Sequence, residues 1–359
     1  MERHICTYVD SLKTDDGYRF SEYSDTTILS TSFAVSTLYL LNQEIIDKEK
    51  MIRYLSGIRT DEGFINDRNY IPFDHFYHHK DYILPQFTYY SLMALDILGY
   101  KMERFKFIED LTVEKISALL NSFFTKNFWA TSNQLMFLLY FLSYAEKNNL
   151  LEKEITSKYF DLIFGYINSK QNAENGYWGG GDITPSVFHQ AYGAAHTYIF
   201  YDYFDREIQY VNHVIDATLK LHAENGLIET INGGACEDYN IVDIYLRCLK
   251  QTDYRRNEIT DKLLKMRKSI IKSQFNNGGF PYKIQKSSLT RLFKKQDLTE
   301  TYKYSSWDKM ETFVYKPDIW STFFRTLTIK VIDYIIDSNK TFPSTKLPGW
   351  GYLGKNVKN

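Results

Sequence analysis

The chain has 359 residues, of which 44% are hydrophobic, and a formal net charge of -1 at neutral pH. That content is enough for a large core, and so balanced a charge excludes a global field directed at nucleic acid or an anionic membrane. Aromatic residues are the outlier at 17%, with 30 Tyr and 25 Phe. A surface cannot hold so many, so we expect many of them to line the interior or a cavity.

The first residues and the cysteines bear on the cellular compartment. Residues 1–13, MERHICTYVDSLK, contain no apolar core of a signal peptide, and no charge-free run of about 18 apolar residues predicts a membrane span. Cys6, Cys236 and Cys248 have neither metal nor redox spacing, and an odd, sparse set indicates a reducing environment. We therefore expect a cytoplasmic protein without a transmembrane segment, for which peripheral contact with a membrane stays open.

A short phrase recurs along the chain: one or two polar residues, then Asn, Asp or Glu before a glycine, then an aromatic or apolar residue. Its copies are KTDDGYRF, RTDEGFI, QNAENGYWGG, HAENGLI and QFNNGGF, around Gly17, Gly63, Gly176, Gly226 and Gly278. The glycines lie about 50 residues apart, except for one double gap that holds a unit without the signature. The spacing predicts about six repeats, in each of which the glycine ends a helix as a left-handed cap.

Between these turns the apolar residues recur at helical spacing, in two alternating sets of segments. The first set is apolar nearly all round: residues 24–41, 86–98, 129–142, 188–204, 236–249 and 317–332. The second set is charged on one side: residues 48–59, 113–124, 157–170, 210–222 and 257–273. Helices that are apolar all round must be buried, whereas helices with one polar face lie outside.

This alternation predicts an all-α fold, a single α/α toroid of about six inner and six outer helices over residues 1–359. The N-terminal segment supplies the outer partner of the first inner helix, and the repeats bury their faces only by closing on one another. Residues 281–316 are too long for an ordinary connection. We expect this insertion to be a lid over the mouth, with Arg291, Lys294 and Lys295 as its cations. A solvated charged loop is the alternative.

The inner helices all run the same way, so their N-termini form one ring around a mouth. The polar residues at those N-termini are Asp25, Gln86, Asn133, His189, Glu237, Asp238 and Asp318. A helix N-terminus favours one acid as a cap and through the helix dipole. The stretch ACEDYNIVD brings three acids, Glu237, Asp238 and Asp243. Three exceed the need for capping, and we interpret them as lining a site.

The turn QNAENGYW, with Gln171, Gly176 and Trp178, resembles the glutamine–tryptophan repeat of squalene and hopene cyclases. In organisation, nearly the whole chain is similar to the superfamily of terpenoid cyclases and protein prenyltransferases. The resemblance implies an α/α toroid, and it implies the fold more strongly than it implies an activity.

The prenyltransferase branch of that superfamily holds zinc on an Asp-x-Cys pair and on a His of the next inner helix. Asp243 stands at the aspartate position, but Tyr245 stands at the cysteine position and Ser321 at the histidine position. The basic residues that hold prenyl diphosphate in the family are replaced by Glu237 and Asn240. The comparison therefore predicts neither protein prenyl transfer nor bound zinc, and we expect no cofactor.

The cyclase branch starts its reaction with an Asp-x-Asp-Asp motif whose middle acid protonates an alkene or epoxide. Residues 235–238, ACED, resemble this motif, with Glu237 at the donor position and Asp238 as a neighbour that shares its proton. Residues 24–27, SDTT, resemble the Ser-Asp-Cys-Thr motif of oxidosqualene cyclases and make Asp25 a second candidate acid. Aromatic side chains of the inner helices would stabilise the carbocations.

Two other classes of function fit the same architecture. Six-fold α/α toroids also serve as glycoside hydrolases and polysaccharide lyases, for which Asp25 and Glu237 would be the two carboxylates. A non-catalytic toroid that binds a ligand is the third alternative. In each case the expected partner is a small molecule, most simply an apolar one. The residues predicted to bind it are Gln86, Tyr89, Asn133, His189, Tyr192, His196, Tyr245 and Trp320.

Overall fold

The computed structural model describes residues 1–71, 79–228, 234–284 and 298–354. Within these ranges the helices are α1 (Glu2–Ser11), α2 (Ile28–Leu40), α3 (Lys48–Leu55), α4 (Lys80–Leu98), α5 (Lys106–Glu109), α6 (Val113–Phe124), α7 (Phe128–Lys147), α8 (Lys153–Asn168), α9 (Val187–Tyr203), α10 (Val211–Leu219), α11 (Ala235–Cys248), α12 (Arg256–Lys272) and α13 (Ile319–Ile336). The short strands are β1 (Ile58–Arg59), β2 (Ile65–Asn66), β3 (Thr301–Lys303) and β4 (Glu311–Phe313).

Six of these helices form a closed inner ring. Helices α2, α4, α7, α9, α11 and α13 each contact the next, and α13 packs back against α2. Helices α1, α3, α6, α8, α10 and α12 alternate with them along the chain and pack on the outside. Over the described residues this is six inner and six outer helices with the short α5 in addition, which confirms the predicted all-α toroid.

The two layers differ in how much of each helix is buried. On α12 the buried side chains are Ile259, Leu263, Met266 and Ile270, at spacings of three and four that define one face. On α11 every residue from Ala235 to Cys248 is buried except Cys236, which is partly buried. Helix α11 therefore has both its sides covered, by neighbours in the ring and by the outer layer.

The repeated glycines do not end the helices as predicted but lie several residues beyond them, in tight turns. Gly176 has a φ of 72° and its carbonyl accepts a hydrogen bond from Gln171 Nε2 at 2.6 Å. Trp178 Nε1 donates to the Ile167 carbonyl at 2.8 Å, which ties the turn to the end of α8. Gly278 has a φ of 98°, and a side chain there would overlap the His4 carbonyl. Each of these turns connects an outer helix to the next inner helix, so the turn recurs along the chain with the helix pairs.

The C-terminal segment closes the end of the barrel where the inner helices finish. The Tyr352 carbonyl accepts a hydrogen bond from Arg247, near the end of α11, at 2.5 Å. The Leu353 carbonyl accepts one from Lys250 just beyond that helix, also at 2.5 Å. Trp350 lies further inside and is buried. The sequence pattern did not predict this closure.

The described part of the long insertion lies across the opposite end, where the inner helices begin. Strands β3 and β4 pair antiparallel, with Tyr302 opposite Thr312. Ser305, just after β3, donates to Gln86 Oε1 of α4 at 2.8 Å. The predicted cations Arg291, Lys294 and Lys295 lie outside the described residues. No helix in the described ranges has both the length and the apolar character that a membrane crossing requires.

Candidate active site

A cavity of about 200 Å³ lies on the axis of the barrel. Helices α4, α7, α9, α11 and α13 contribute to its wall, the residues after β3 cover it, and the C-terminal segment contributes Trp350. Its aromatic lining residues are Tyr82, Tyr90, Trp129, Tyr304, Trp320, Phe324 and Trp350. Its polar lining residues are Gln86, Asn133, His196, Cys236, Asn240, Lys303, Ser305 and Ser306. Seven aromatic and eight polar side chains of the described ranges therefore share the lining of this space.

The aromatic side chains hold one another in place at the two ends of the cavity. At the hairpin end, the Trp320 ring lies 5.1 Å from Tyr304 and 5.4 Å from Phe324 between centroids. At the other end, the Trp350 ring meets Phe324 edge-on at 5.7 Å, and its Nε1 donates to Tyr90 Oη at 3.2 Å. Edge-on and tilted contacts of this kind are the preferred arrangements of aromatic pairs.

Glu237 lies directly behind this wall and is 2% exposed. Its Oε1 accepts a hydrogen bond from Tyr282 Oη at 2.9 Å, and its Oε2 accepts one from Cys236 Sγ at 3.2 Å. Burial raises the pKa of the Glu237 carboxyl, which disfavours its charged form. No basic side chain of the described ranges forms an ion pair with it. Glu237 is therefore a buried acid without an ion-pair partner among the described residues.

Asp238 occupies a different environment from the predicted one. Its Oδ2 forms an ion pair with Arg325 of α13, and its Oδ1 accepts a hydrogen bond from the Ile228 amide at 2.9 Å. We expected Asp238 and Glu237 to share a proton, but no hydrogen bond joins the two side chains within the described ranges. Burial raises the pKa of the Asp238 carboxyl, and Arg325 lowers it in part. The ion pair joins α11 to α13.

Asp243 also forms a structural ion pair, and it is not among the residues that line the cavity. It lies 2.8 Å from Arg247 Nη2 one turn further along α11, and both side chains are fully buried. Arg247 also pairs with Asp202 of α9 at 2.6 Å and holds the Tyr352 carbonyl. The prediction placed Asp243 on the inward face as a catalytic acid. The structure instead makes it part of the network that fixes the C-terminal segment.

Asp25 lies on the surface and is not among the residues that line the cavity. Its side chain is 56% exposed and forms a salt bridge with Lys309 at 2.6 Å. This position does not bring the predicted alternative acid to the cavity. Asp318 caps α13, accepting from the Ser321 amide at 2.7 Å and from Tyr302 Oη at 2.8 Å. Burial raises the pKa of Asp318 to about 7.

Four of the predicted ligand-binding residues line the cavity: Gln86, Asn133, His196 and Trp320. His189 lies beside the wall, stacked on Trp129 with 4.6 Å between ring centroids. Tyr192 is buried 5.9 Å from the same ring. These two residues support a lining side chain without forming part of the described lining.

Tyr89 and Tyr245 are not among the residues that line the cavity, because each lies on a different face of its helix from the one predicted. Tyr89 packs behind the wall against Phe137 and Tyr140, and its neighbour Tyr90 faces the cavity. Tyr245 points toward the outer layer, where its hydroxyl lies 3.0 Å from His222 Nε2. Adjacent helical residues differ by about 100° in direction. A shift of one residue therefore moves a side chain off the inner face.

The sequence interpretation missed several lining residues that a helical spacing rule identifies. Tyr82 and Tyr90 lie four residues before and after Gln86, and Phe324 lies four after Trp320. Cys236 and Asn240 form another such pair on α11. Residues four apart share a helix face. Extending Gln86 and Trp320 by one turn would have found Tyr82, Tyr90 and Phe324, whereas the predicted residues did not lead to Cys236, Asn240 or Trp350.

His196 is the polar group set deepest among the aromatic side chains. Its Nδ1 lies 2.8 Å from Ser132 Oγ, and its ring meets Trp350 edge-on at 5.5 Å. Burial lowers the pKa of His196 to about 3, so the imidazole is neutral near neutral pH. Within the described ranges no group of three or more His, Cys, Asp or Glu side chains is arranged to hold a metal ion.

The fold is a six-fold α/α toroid, and a small cavity lined by aromatic and polar side chains lies within its ring of inner helices. The family described as the prenyltransferase alpha-alpha toroid domain matches residues 1–75 and 107–289, well over half of the sequence. The chain belongs to this family.

Two solved structures of a type II terpene cyclase, MstE from Scytonema, are similar to this chain. The apo form has a TM-score of 0.49 at 12% sequence identity, and the match covers 94% of this chain and 97% of that chain. A variant in complex with its product, merosterolic acid A, has a TM-score of 0.43 at 13% identity, with 93% and 95% covered. A comparison with curated proteins gives no match.

Proposed function

We propose that this protein is an enzyme that cyclises a small isoprenoid, or another apolar molecule with a carbon–carbon double bond, by an acid-initiated reaction. The observation that carries the proposal is Glu237, a buried carboxyl without an ion-pair partner in the described ranges, directly behind an aromatic cavity. Its raised pKa keeps a larger share of the group protonated near neutral pH than in an exposed glutamate.

The proton moves from the Glu237 carboxyl to one carbon of the alkene, and the other carbon becomes cationic. Cys236 borders the cavity and touches Glu237, so rotation of the glutamate past this small side chain brings the acid to the substrate. After the transfer the side chain turns back, and the hydrogen bonds that Tyr282 and Cys236 donate in this position stabilise the carboxylate. A second double bond closes the ring, and loss of a proton to the carboxylate restores the acid.

The walls suit a cationic intermediate. Faces of Trp and Tyr side chains attract a cation through their quadrupoles, by about 2 kcal/mol or more when water is excluded. Trp320 lies at one end of the cavity and Trp350 at the other, and Tyr90 of α4 also lines it. Residues of the hairpin and of the C-terminal segment border the space, and closure of the hairpin over a bound substrate would protect a cation from capture by water.

The volume favours a compact substrate. A dry cavity of about 150 Å³ holds one benzene molecule, and this cavity measures about 200 Å³. A carbohydrate-active function would require two carboxylates facing each other across a cleft. Asp25 is exposed on the surface whereas Glu237 is buried, so the two predicted carboxylates do not share a cleft. This disfavours the carbohydrate alternative.

The lid predicted for residues 281–316 fits the same proposal. The hairpin contributes Tyr304, Ser305 and Ser306 to the cavity, and Tyr302 binds Asp318 at the start of α13. We propose that these contacts open to admit the substrate and close before the proton is transferred. Closure by a covering segment keeps the acid dry.

The proposal is tested by incubating the protein with ten- to twenty-carbon isoprenoids and analysing products by gas chromatography and mass spectrometry. In deuterated water an acid-initiated cyclisation incorporates deuterium into the product. Glu237→Gln should reduce turnover by at least about 100-fold with an unchanged melting curve, since the amide keeps the size but has no acidic proton. Glu224→Gln, an exposed substitution, is the matched control.

Full turnover by Glu237→Gln would refute the role of this acid. Binding of isoprenoids without any product, in the wild-type protein, would favour the non-catalytic binding toroid instead.

A further inference from the structure

One buried polar atom of the cavity wall, Asn240 Oδ1, has no hydrogen-bond partner within the described part of the chain. Asn240 lines the cavity and is 1% exposed, and its Oδ1 is buried without a hydrogen bond there. A buried amide oxygen left unpaired costs about 1–3 kcal/mol. Asn240 comes one helical turn after Cys236, on the same face of α11. An oxygen held unpaired at such a place indicates that a ligand supplies the missing donor.

A second polar side chain of the cavity wall lies on the neighbouring inner helix. His196 of α9 lines the same cavity, and its Nδ1 is occupied by Ser132. No hydrogen bond to its Nε2 occurs among the described residues. A neutral imidazole nitrogen either donates or accepts, depending on the tautomer. Since α9 and α11 pack side by side, the two helices offer an amide and an imidazole to one small polar group.

The charges around the cavity argue against an anionic group. Within the described ranges Lys303 is the cation that borders the cavity, and its Nζ lies 2.6 Å from Asp308 and 3.9 Å from Glu311. The buried Arg325 is paired with Asp238. A diphosphate would bring at least two negative charges into a space of low dielectric without a counterion from these residues, which is strongly unfavourable.

We infer that the substrate carries a single uncharged hydroxyl group that donates to Asn240 Oδ1 and hydrogen-bonds to His196 Nε2, and that it is an oxygenated isoprenoid rather than a prenyl diphosphate. This inference rests on the proposed use of the cavity for an isoprenoid, and it assigns Asn240 a role in binding and specificity. The hydrocarbon part of the substrate contacts Trp320, Phe324 and Trp350.

The test measures binding of three ten-carbon probes by titration calorimetry: geraniol, the hydrocarbon myrcene, and geranyl diphosphate. Geraniol should bind about tenfold tighter than myrcene, the equivalent of one well-made hydrogen bond, and geranyl diphosphate should bind most weakly. Asn240→Leu, which keeps the size, should bring geraniol to the affinity of myrcene and leave myrcene unchanged. Asn339→Leu, at an exposed turn, is the control.

Two results would overturn the inference: tighter binding of geranyl diphosphate than of geraniol, or equal weakening of geraniol and myrcene by Asn240→Leu. Asn240→Ser is measured with the same expectations if the leucine variant does not fold. These readouts need no turnover. If the binding order holds but no probe yields a cyclic product, the proposed cyclisation fails while the assignment of the polar group stands.

Discussion

Replacing His196 with asparagine should make the stability of this protein less sensitive to acid. His196 is buried in the cavity wall, and burial lowers its pKa to about 3 from an ordinary value of 6.5. In the folded state the imidazole therefore stays neutral at pH values where the unfolded chain takes up a proton. Stability from this group is complete above pH 6.5 and is lost as the pH falls toward 3.

The size of the effect follows from these two pKa values. Each pH unit between them costs about 1.4 kcal/mol, so His196 alone should remove about 2 kcal/mol from the free energy of unfolding between pH 7.5 and pH 5. The cause is desolvation, with no neighbouring charge contributing. Asparagine keeps a polar atom near Ser132 but has no proton to gain.

Urea unfolding of the wild type and of His196→Asn at pH 7.5 and pH 5 measures the difference. The variant should be less stable at both pH values because it leaves space behind, but it should lose about 2 kcal/mol less on acidification. His213→Asn, at an exposed position, is the control and should lose as much as the wild type. An equal acid loss in His196→Asn would refute the reasoning.

Two further predictions concern long-range contacts. Trp350→Ala should cost about 3–5 kcal/mol of stability and deepen the cavity, so the longest prenol that binds, in a series from ten to twenty carbons, should lengthen. An unchanged length limit would contradict the position of Trp350 at the closed end. Arg325→Met should cost about 3–5 kcal/mol in urea unfolding because Asp238 is left buried and unpaired, and Asp238→Leu in the same chain should restore part of it. A loss below about 1 kcal/mol would contradict the buried ion pair.

The sequence by itself determined the ring of helices. The local order of apolar residues predicts that an inner helix is buried on all sides and that α12 is buried on one face. This works because the helix brings residues three and four apart onto the same face. The glycine turns were visible as well, although their place beyond the helix ends was not. The local sequence pattern also identified Gln86, Asn133, His196 and Trp320 as binding residues, and all four line the cavity.

Only the tertiary structure decided which of the acids is held in an ion pair. Glu237 and Asp238 are adjacent in sequence, yet one is hydrogen-bonded and uncompensated in the described ranges, and the other is paired with Arg325, 87 residues away. Likewise, Trp350 meets Tyr90 across 260 residues. Whether a buried carboxyl is charged depends on the groups that surround it in space. Those groups come from distant segments, and no local spacing specifies them.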